Sequence, residues 1–319
     1  MPAENATDRA RIFAVVVLYK QRPSTSVTVA TLARALESSG ADCRVLLYDN
    51  SAEPGSAEPG ASPEAVPAGF RYQAAPANRG LLGAYESALD RARAEGCGWL
   101  LTLDQDTALP VDFFSVIEPG LQAARDNPEI AAIVPHLAEG ERLLSPAYVG
   151  LSRTKPMPRS FSGVPRREAR AFNSAALLRV QALDAIGGFD PCFWLDHLDS
   201  WLHHQLFLHG RCMYVLDVHL EHHFSLLNYR ERLSTERFRN FLLAESAYLD
   251  LYGSRLAGAA YNVRLVGRLL NQTRRHETSE VRHATWNVLW QRLTVGKRKR
   301  IARWKQSVGG WPGARAESR

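Results

Sequence analysis

Two aspartates, Asp104 and Asp106, close the apolar run Gly98-Trp99-Leu100-Leu101-Thr102-Leu103 with one residue between them. A run of that length suits a buried strand. Residues two apart in an extended chain point the same way, so both carboxylates face one site beyond the strand's carboxyl end, where open α/β sheets bind ligands. Hard oxygen donors there suit Mg2+ or Mn2+. In isolation, Asp-x-Asp is more often a polar strand end that opens a turn, so its meaning depends on what else the chain brings to it.

Three other stretches carry chemistry-bearing residues. Asp49 ends a second apolar run, as Asp49-Asn50-Ser51, and is either a binding residue or a turn cap. In Asn78-Arg79-Gly80 the flanking residues permit unusual backbone angles and the arginine has the reach and charge for a phosphate. Asp196 and Asp199 lie in Phe193-Trp194-Leu195-Asp196-His197-Leu198-Asp199. If they open a helix, their charges sit near its favourable end, and N-capping accounts for one of them. The histidines at 203, 204, 209, 219, 222 and 223 lack the spacing with Cys or Glu of a structural zinc site. The four cysteines form no C-x-x-C pair, which predicts reduced thiols rather than a disulfide framework.

The elements that must position these residues read as strands alternating with helices. Residues 12–19 form a continuous β-branched run, residues 26–39 have helical spacing stopped by Gly40, and residues 44–49 are a second buried strand. That β-α-β unit is nucleotide-binding architecture. A strand at 70–73, a helix from Leu82 and the strand ending at Asp104 follow, so Tyr19, Asp49, Asn78-Arg79-Gly80 and Asp104 fall at one sheet edge. Further on, the pattern predicts a helix over 111–125, a strand over 130–134, a proline-rich loop over 138–170, and strands over 172–179 and 214–220. Residues 235–252, 256–270 and 281–293 read as helices. Ser-Ala-Glu-Pro-Gly occurs twice, from Ser51 and from Ser56, and marks a flexible surface loop.

The chain has 319 residues and a net charge of +6, with no acidic residue between Val281 and Ala316. Lys297-Arg298-Lys299-Arg300 lie close to Trp286, Trp290, Trp304 and Trp311, which makes this end either a solvated basic tail or a peripheral contact with anionic lipid. No stretch is long and apolar enough for a leader or a membrane span, so the expectation is a cytoplasmic protein, peripheral on the inner face of the cell membrane if the basic end binds lipid.

In order and spacing, Tyr19, Asp49-Asn50-Ser51, Asn78-Arg79-Gly80 and Asp104-Gln105-Asp106 resemble glycosyltransferase family 2, inverting enzymes with a GT-A fold. Leu103-Asp104-Gln105-Asp106 looks most like its rhamnosyltransferase branch. The resemblance implies an α/β fold with a mixed sheet flanked by helices and a helical C-terminal appendage. It implies a nucleotide-sugar donor with its base near Tyr19 and Asp49, its sugar near Asp104, and Mg2+ or Mn2+ on Asp106. By motif position Asp199 matches the catalytic base, Asp196 a second acid on the acceptor side, and His222 a residue of the metal or diphosphate shell, with His223 as the alternative register. Arg230 and Arg232 would add charge near the leaving diphosphate. Two residues depart from the family pattern: Ala175 stands where relatives usually carry Gly, and Trp201 where they often carry another acid.

The implied organisation is a catalytic domain over residues 1–230, with a nucleotide-sugar half to about 135 and an acceptor half beyond it, followed by a helical basic region over 231–319. The implied activity is transfer of a sugar, foremost L-rhamnose from dTDP-rhamnose, to a glycan or lipid-linked acceptor in surface polysaccharide synthesis. A UDP-hexose donor is the alternative within the same fold, and no nucleic-acid partner is expected. A nucleotidyltransferase would show a glycine-rich loop after the first strand, and Tyr19-Lys20-Gln21-Arg22-Pro23 has no glycine. A non-catalytic scaffold binding membrane or polyanion through the basic end would instead bind no nucleotide.

Overall fold

The computed structural model describes residues 10–51, 66–151, 153–222 and 234–309. His223, Arg230, Arg232, Trp311 and the second Ser-Ala-Glu-Pro-Gly copy lie outside them. Strand β1 (Ile12–Leu18) is buried along its whole length between parallel neighbours β2 (Cys43–Asp49) and β4 (Trp99–Asp104). Because its side chains alternate across the sheet, Phe13, Val15 and Val17 join one apolar core while Ile12, Ala14, Val16 and Leu18 join the other. Two covered faces are why the sequence reads as an unbroken apolar run.

β3 (Phe70–Ala74) extends the sheet on the outer side of β2. On the other side β10 (Ala176–Arg179) runs antiparallel between β4 and β5 (Ile130–Glu139), and β11 (Cys212–Glu221) pairs in parallel with β5. The order is therefore β3-β2-β1-β4-β10-β5-β11, with β6 (Arg142–Ser145) returning against β5. Helix α1 (Val27–Ser39) covers one face and α2 (Gly80–Ala94) the other.

Several expected boundaries move. The helix expected over 111–125 is two, α3 (Phe113–Val116) and α4 (Glu118–Asp126), with Pro119 in the first turn of the second. The proline-rich stretch contains β6 and a small sheet of β7 (Ala147–Tyr148), β8 (Lys155–Pro156) and β9 (Ala169–Arg170). The strand expected from Phe172 begins at Ala176, because Ala175 has a left-handed backbone (φ 56°) that breaks the extended run.

Short helix α5 (Val180–Ala185) follows β10, and α6 (Leu198–Leu208) precedes β11. The C-terminal part consists of α7 (Thr235–Tyr252), α8 (Arg255–Arg274), α9 (Ser279–Thr294) and α10 (Lys297–Gly309). Ser234, Ser254 and Thr278 start the first three alike, each side chain accepting the amide N–H three residues on. Phe238, Leu242, Tyr261, Leu265, Val288 and Leu289 give these helices an apolar core of their own. Part of the basic end is anchored to the helical unit, while Lys297, Arg298 and Lys299 are exposed. Arg300 grips Asp250 through two nitrogens at 2.8 and 2.7 Å, Arg292 reaches the same carboxylate at 3.3 Å, and Trp304 Nε1 donates to the Cys192 carbonyl at 3.1 Å. Among the described residues no helix is long and apolar enough to cross a membrane.

Candidate active site

The Asp104–Thr107 turn at the end of β4 is fixed mainly from α1. Thr28, fully buried, donates to the carbonyls of Asp104 and Thr107 at 2.6 and 2.9 Å and accepts the Thr107 N–H at 2.8 Å. Ser26, which caps α1, also donates to the Gln105 carbonyl at 2.7 Å. Gln105 itself takes the Tyr19 N–H on its side-chain oxygen at 2.8 Å, joining the ends of β1 and β4. The residue between the two acids is therefore the clamp, a role the spacing of the acids does not reveal.

Held in this way, Asp104 and Asp106 meet His222 at the end of β11. His222 Nε2 is 3.8 Å from an Asp104 oxygen and its Nδ1 is 3.8 Å from an Asp106 oxygen. One ligand atom from each of the three residues lies within 4.8 Å of the others. Two donors on one Mg2+ or Mn2+ at about 2.1 Å each sit no more than about 4.2 Å apart, so small side-chain rotations close the set around an ion. His222 is 5% exposed, and its Nδ1 lies 3.4 Å from Thr107 Oγ1, which in turn is 2.5 Å from Ser174 Oγ. A hydroxyl on one ring nitrogen orients the other, as outer partners of metal-binding histidines do. Two carboxylates and an imidazole are a donor set that fits a hard or borderline divalent ion. Burial raises the Asp104 pKa; His222 pulls it back, while Asp106 and Asp199 push it further up.

The nucleotide-side candidates reach the same edge in different states. Tyr19 is exposed, with the Lys20 ammonium 5.2 Å from its ring centre. Asp49 is enclosed, its two oxygens accepting the Ser51 N–H at 2.9 Å and the Tyr72 hydroxyl at 2.6 Å. Arg79 pairs with Glu86 at 3.1 Å, and Asn78 accepts the Gly80 N–H at 3.3 Å. Gly80 (φ 64°) lies under Trp194: a Cβ there would stand 2.4 Å from the indole ring and 2.5 Å from the Trp194 carbonyl oxygen. The Leu82 N–H donates to that carbonyl at 3.0 Å, so the start of α2 is tied to the segment that leads into Asp196.

The second acidic centre opens α6. His197, in the left-handed region (φ 63°), turns the chain into the helix and places Asp199 in its first turn, where it accepts the Ser200 N–H at 2.6 Å. Asp196 is turned away and pairs with Arg237 of α7, its side chain 7% exposed. Asp199 instead lines a cavity of about 1180 Å3 between the sheet domain and the C-terminal helices. Burial pushes its carboxyl above the usual carboxylate range, against the opposing pull of His197, the Ser200 N–H and Arg170. The His197 ring stacks between Phe241 and Tyr248, with centroids 5.6 and 5.5 Å away, and burial lowers its pKa. Tyr85, fully buried, feels both centres: after burial, Asp104 and Asp199 are the main reasons its hydroxyl resists ionisation.

Thr28, Gln105, Thr107, Ser174 and the α7 residues Arg237 and Tyr248 were missed from sequence. A Ser/Thr pair at a helix start was the available signal for the first of them; the α7 residues give none. Trp201, at the position of an expected acid, is buried in the core.

No protein-family model matches the sequence, and no curated protein does either. Solved structures do resemble this one. Residues 1–349 of S. aureus TarS in complex with UDP-GlcNAc superpose with a TM-score of 0.51 at 13% identity, covering 93% of this chain and 90% of that one. GalNAc-T7 with UDP, GalNAc and Mn2+ gives a TM-score of 0.52 at 12% identity over 69% of this chain. The chain spans 44% of the GalNAc-T7 chain and 43% of a longer TarS chain. At such identities the likeness speaks for architecture, and the architecture is the GT-A fold, a mixed α/β sheet flanked by helices with a helical C-terminal part.

Proposed function

We propose that this chain is an inverting, metal-dependent glycosyltransferase of the family 2, rhamnosyltransferase-like kind, moving L-rhamnose from dTDP-rhamnose to a lipid-linked glycan acceptor. The observation that carries the reading is the convergence of Asp104, Asp106 and His222 beside a cavity whose wall holds Asp199. Asp106 and His222, with Asp104 next to the sugar, would hold Mg2+ or Mn2+, which would offset negative charge on the nucleoside diphosphate. Tyr19 and the turn after Asp49 border the base, and Asn78-Arg79-Gly80 border the donor opposite Trp194. Asp199 removes the proton from the acceptor hydroxyl as its oxygen forms a bond to the anomeric carbon. The bond from that carbon to the diphosphate oxygen breaks, and the electron pair leaves with the nucleotide. A base whose pKa is raised toward the working pH is better suited to this than an ordinary surface carboxylate. Residues 1–230 make up the catalytic domain, with its nucleotide-sugar half to about 135 and its acceptor half beyond, and helices α7 and α8 of the 231–319 region line the far side of the Asp199 cavity.

A UDP-sugar donor is the second reading, favoured by the UDP-GlcNAc and UDP bound in the two similar structures. Calorimetric titration of dTDP-rhamnose, UDP-glucose and UDP-GlcNAc with Mn2+ separates them. Metal-dependent binding of dTDP-rhamnose alone supports the first reading, binding of a UDP-sugar alone replaces it with the second, and binding of none overturns both.

A further inference from the structure

The C-terminal helices turn large apolar side chains toward solvent. On α8, Leu256, Val263 and Leu270 recur every seventh residue and are 70%, 73% and 57% exposed. On α9, which packs beside α8, Trp286, Trp290 and Leu293 are 48%, 54% and 62% exposed, and the two indoles stack with centroids 6.0 Å apart. On α8 these residues lie opposite the buried Tyr261 and Leu265, and on α9 they lie opposite the buried Val288 and beside Leu289, so packing within the helical unit leaves them at the surface. Exposed apolar residues gathered in this way mark an interaction surface.

The charge around them identifies the partner. From Arg255 to Gly309 the sequence has 13 Lys or Arg and two acids, Glu277 and Glu280. Four of the arginines are committed to Glu245 and Asp250 inside the unit. Glu277 is buried, and Glu280 accepts the Thr235 hydroxyl. Aliphatic and indole side chains within a strongly cationic surround match the boundary layer of an anionic bilayer, where indoles sit at headgroup level and each Lys or Arg adds about 1 kcal/mol. A second copy of this chain would bring the same positive charge against itself.

We propose that the exposed face of α8 and α9 seats this protein on an anionic lipid surface, with the basic residues around it supplying the electrostatic attraction. The cavity gives that seat a purpose. Val263 belongs both to the exposed face and to the lining of the cavity that holds Asp199, so the cavity opens beside the lipid-facing residues. Resting on the glycosyltransferase reading above, this makes the acceptor one presented from the membrane, its lipid part staying in the bilayer while its sugar enters toward Asp199.

The test uses the full chain with phosphatidylglycerol and phosphatidylcholine vesicles. Wild-type protein should co-sediment with the anionic vesicles, less so in 0.5 M NaCl, and brominated lipid should quench its tryptophan fluorescence. The double variant Trp286→Ser/Trp290→Ser should partition on the order of 10-fold more weakly while binding nucleotide-sugar with Mn2+ as wild type does. Equal partitioning of the variant, or no anionic preference in wild type, overturns the proposal. So does a dimer in sedimentation velocity that the double variant loses, which would assign the face to a second copy. Donor titration without vesicles is independent: its failure would sink the catalytic reading and leave the lipid result standing.

Discussion

The turn carrying Asp104 and Asp106 is held by residues from the first β-α-β unit, whereas the turn carrying Asp196 and Asp199 leans on helix α7, far along the chain. Thr28, Ser26 and Gln105 make the first rigid with hydrogen bonds to backbone. The second is joined to α7 by the ion pair of Asp196 with Arg237 and by the His197 ring stacked on Phe241 and Tyr248, and to α2 by the Leu82 N–H on the Trp194 carbonyl. On the proposed reading the donor side lies within the sheet domain, while the acceptor side shares its cavity with the C-terminal helices, so disturbing those helices should affect turnover before it affects donor binding.

The sharpest division between the two comes from Asp199→Asn, which keeps the side chain's size and removes its basicity. Turnover should fall by about 10²–10⁴-fold with the donor dissociation constant nearly unchanged, since the lost interaction belongs to the transition state. If Asp196→Asn is dead and Asp199→Asn active, the two acids have exchanged roles. Asp106→Ala is the reciprocal break: metal-dependent binding of the nucleoside diphosphate should weaken by about 100-fold or more, with the melting temperature kept. Tight donor binding by that variant in the presence of metal would remove the donor-side assignment.

Arg237→Met tests the borrowed support. It leaves the nearly buried Asp196 carboxylate without its arginine, and about 1–3 kcal/mol of stability should be lost. Thermal melting reads that loss, and kcat should drop while donor affinity holds; an unchanged kcat would show that the acceptor turn does not need α7. The pH profile sharpens the same contrast. Asp199 works as the deprotonated base and burial raises its pKa, so the acid limb of kcat should lie above the ordinary carboxylate range and activity should be lost as pH falls through it. A limb near 4 would contradict the enclosed base. The smallest effect belongs to Ala175→Gly. Removing the Cβ relieves the left-handed backbone by about 1 kcal/mol, and the added freedom of the unfolded chain takes back roughly 0.5–1 kcal/mol. The net change in melting should therefore be close to zero.

Much of the donor side was legible because its signals are local. The apolar run of β1 announced a doubly covered strand, and Asp-x-Asp at the end of β4 announced a shared facing, both from short-range periodicity. The match of His222 came from a family motif, and the structure brings it to the acids across several strands. Arg237 and Tyr248 are long-range partners of the acceptor turn, and amphipathic spacing in α7 says which face is buried but not what it is buried against. In the basic run, composition shows the charge of Arg300 but not its engagement of Asp250, fifty residues away in sequence. The break before β10 was equally hidden, since alanine carries no turn signal.

The packing of Gly80 beneath Trp194 constrains how this sequence can drift over generations. Replacing the indole by a smaller side chain would clear the ring, yet the Trp194 carbonyl oxygen would still stand 2.5 Å from any Cβ at position 80. The obstruction is main chain against main chain, and no side-chain exchange at 194 lifts it. Descendants that keep this architecture should therefore retain glycine at 80 while 194 varies, leaving an invariant column in an alignment with no covarying partner. A lineage that has lost the glycine should also have rebuilt the backbone of the segment leading into Asp196, and a structure of such a relative would show whether it has.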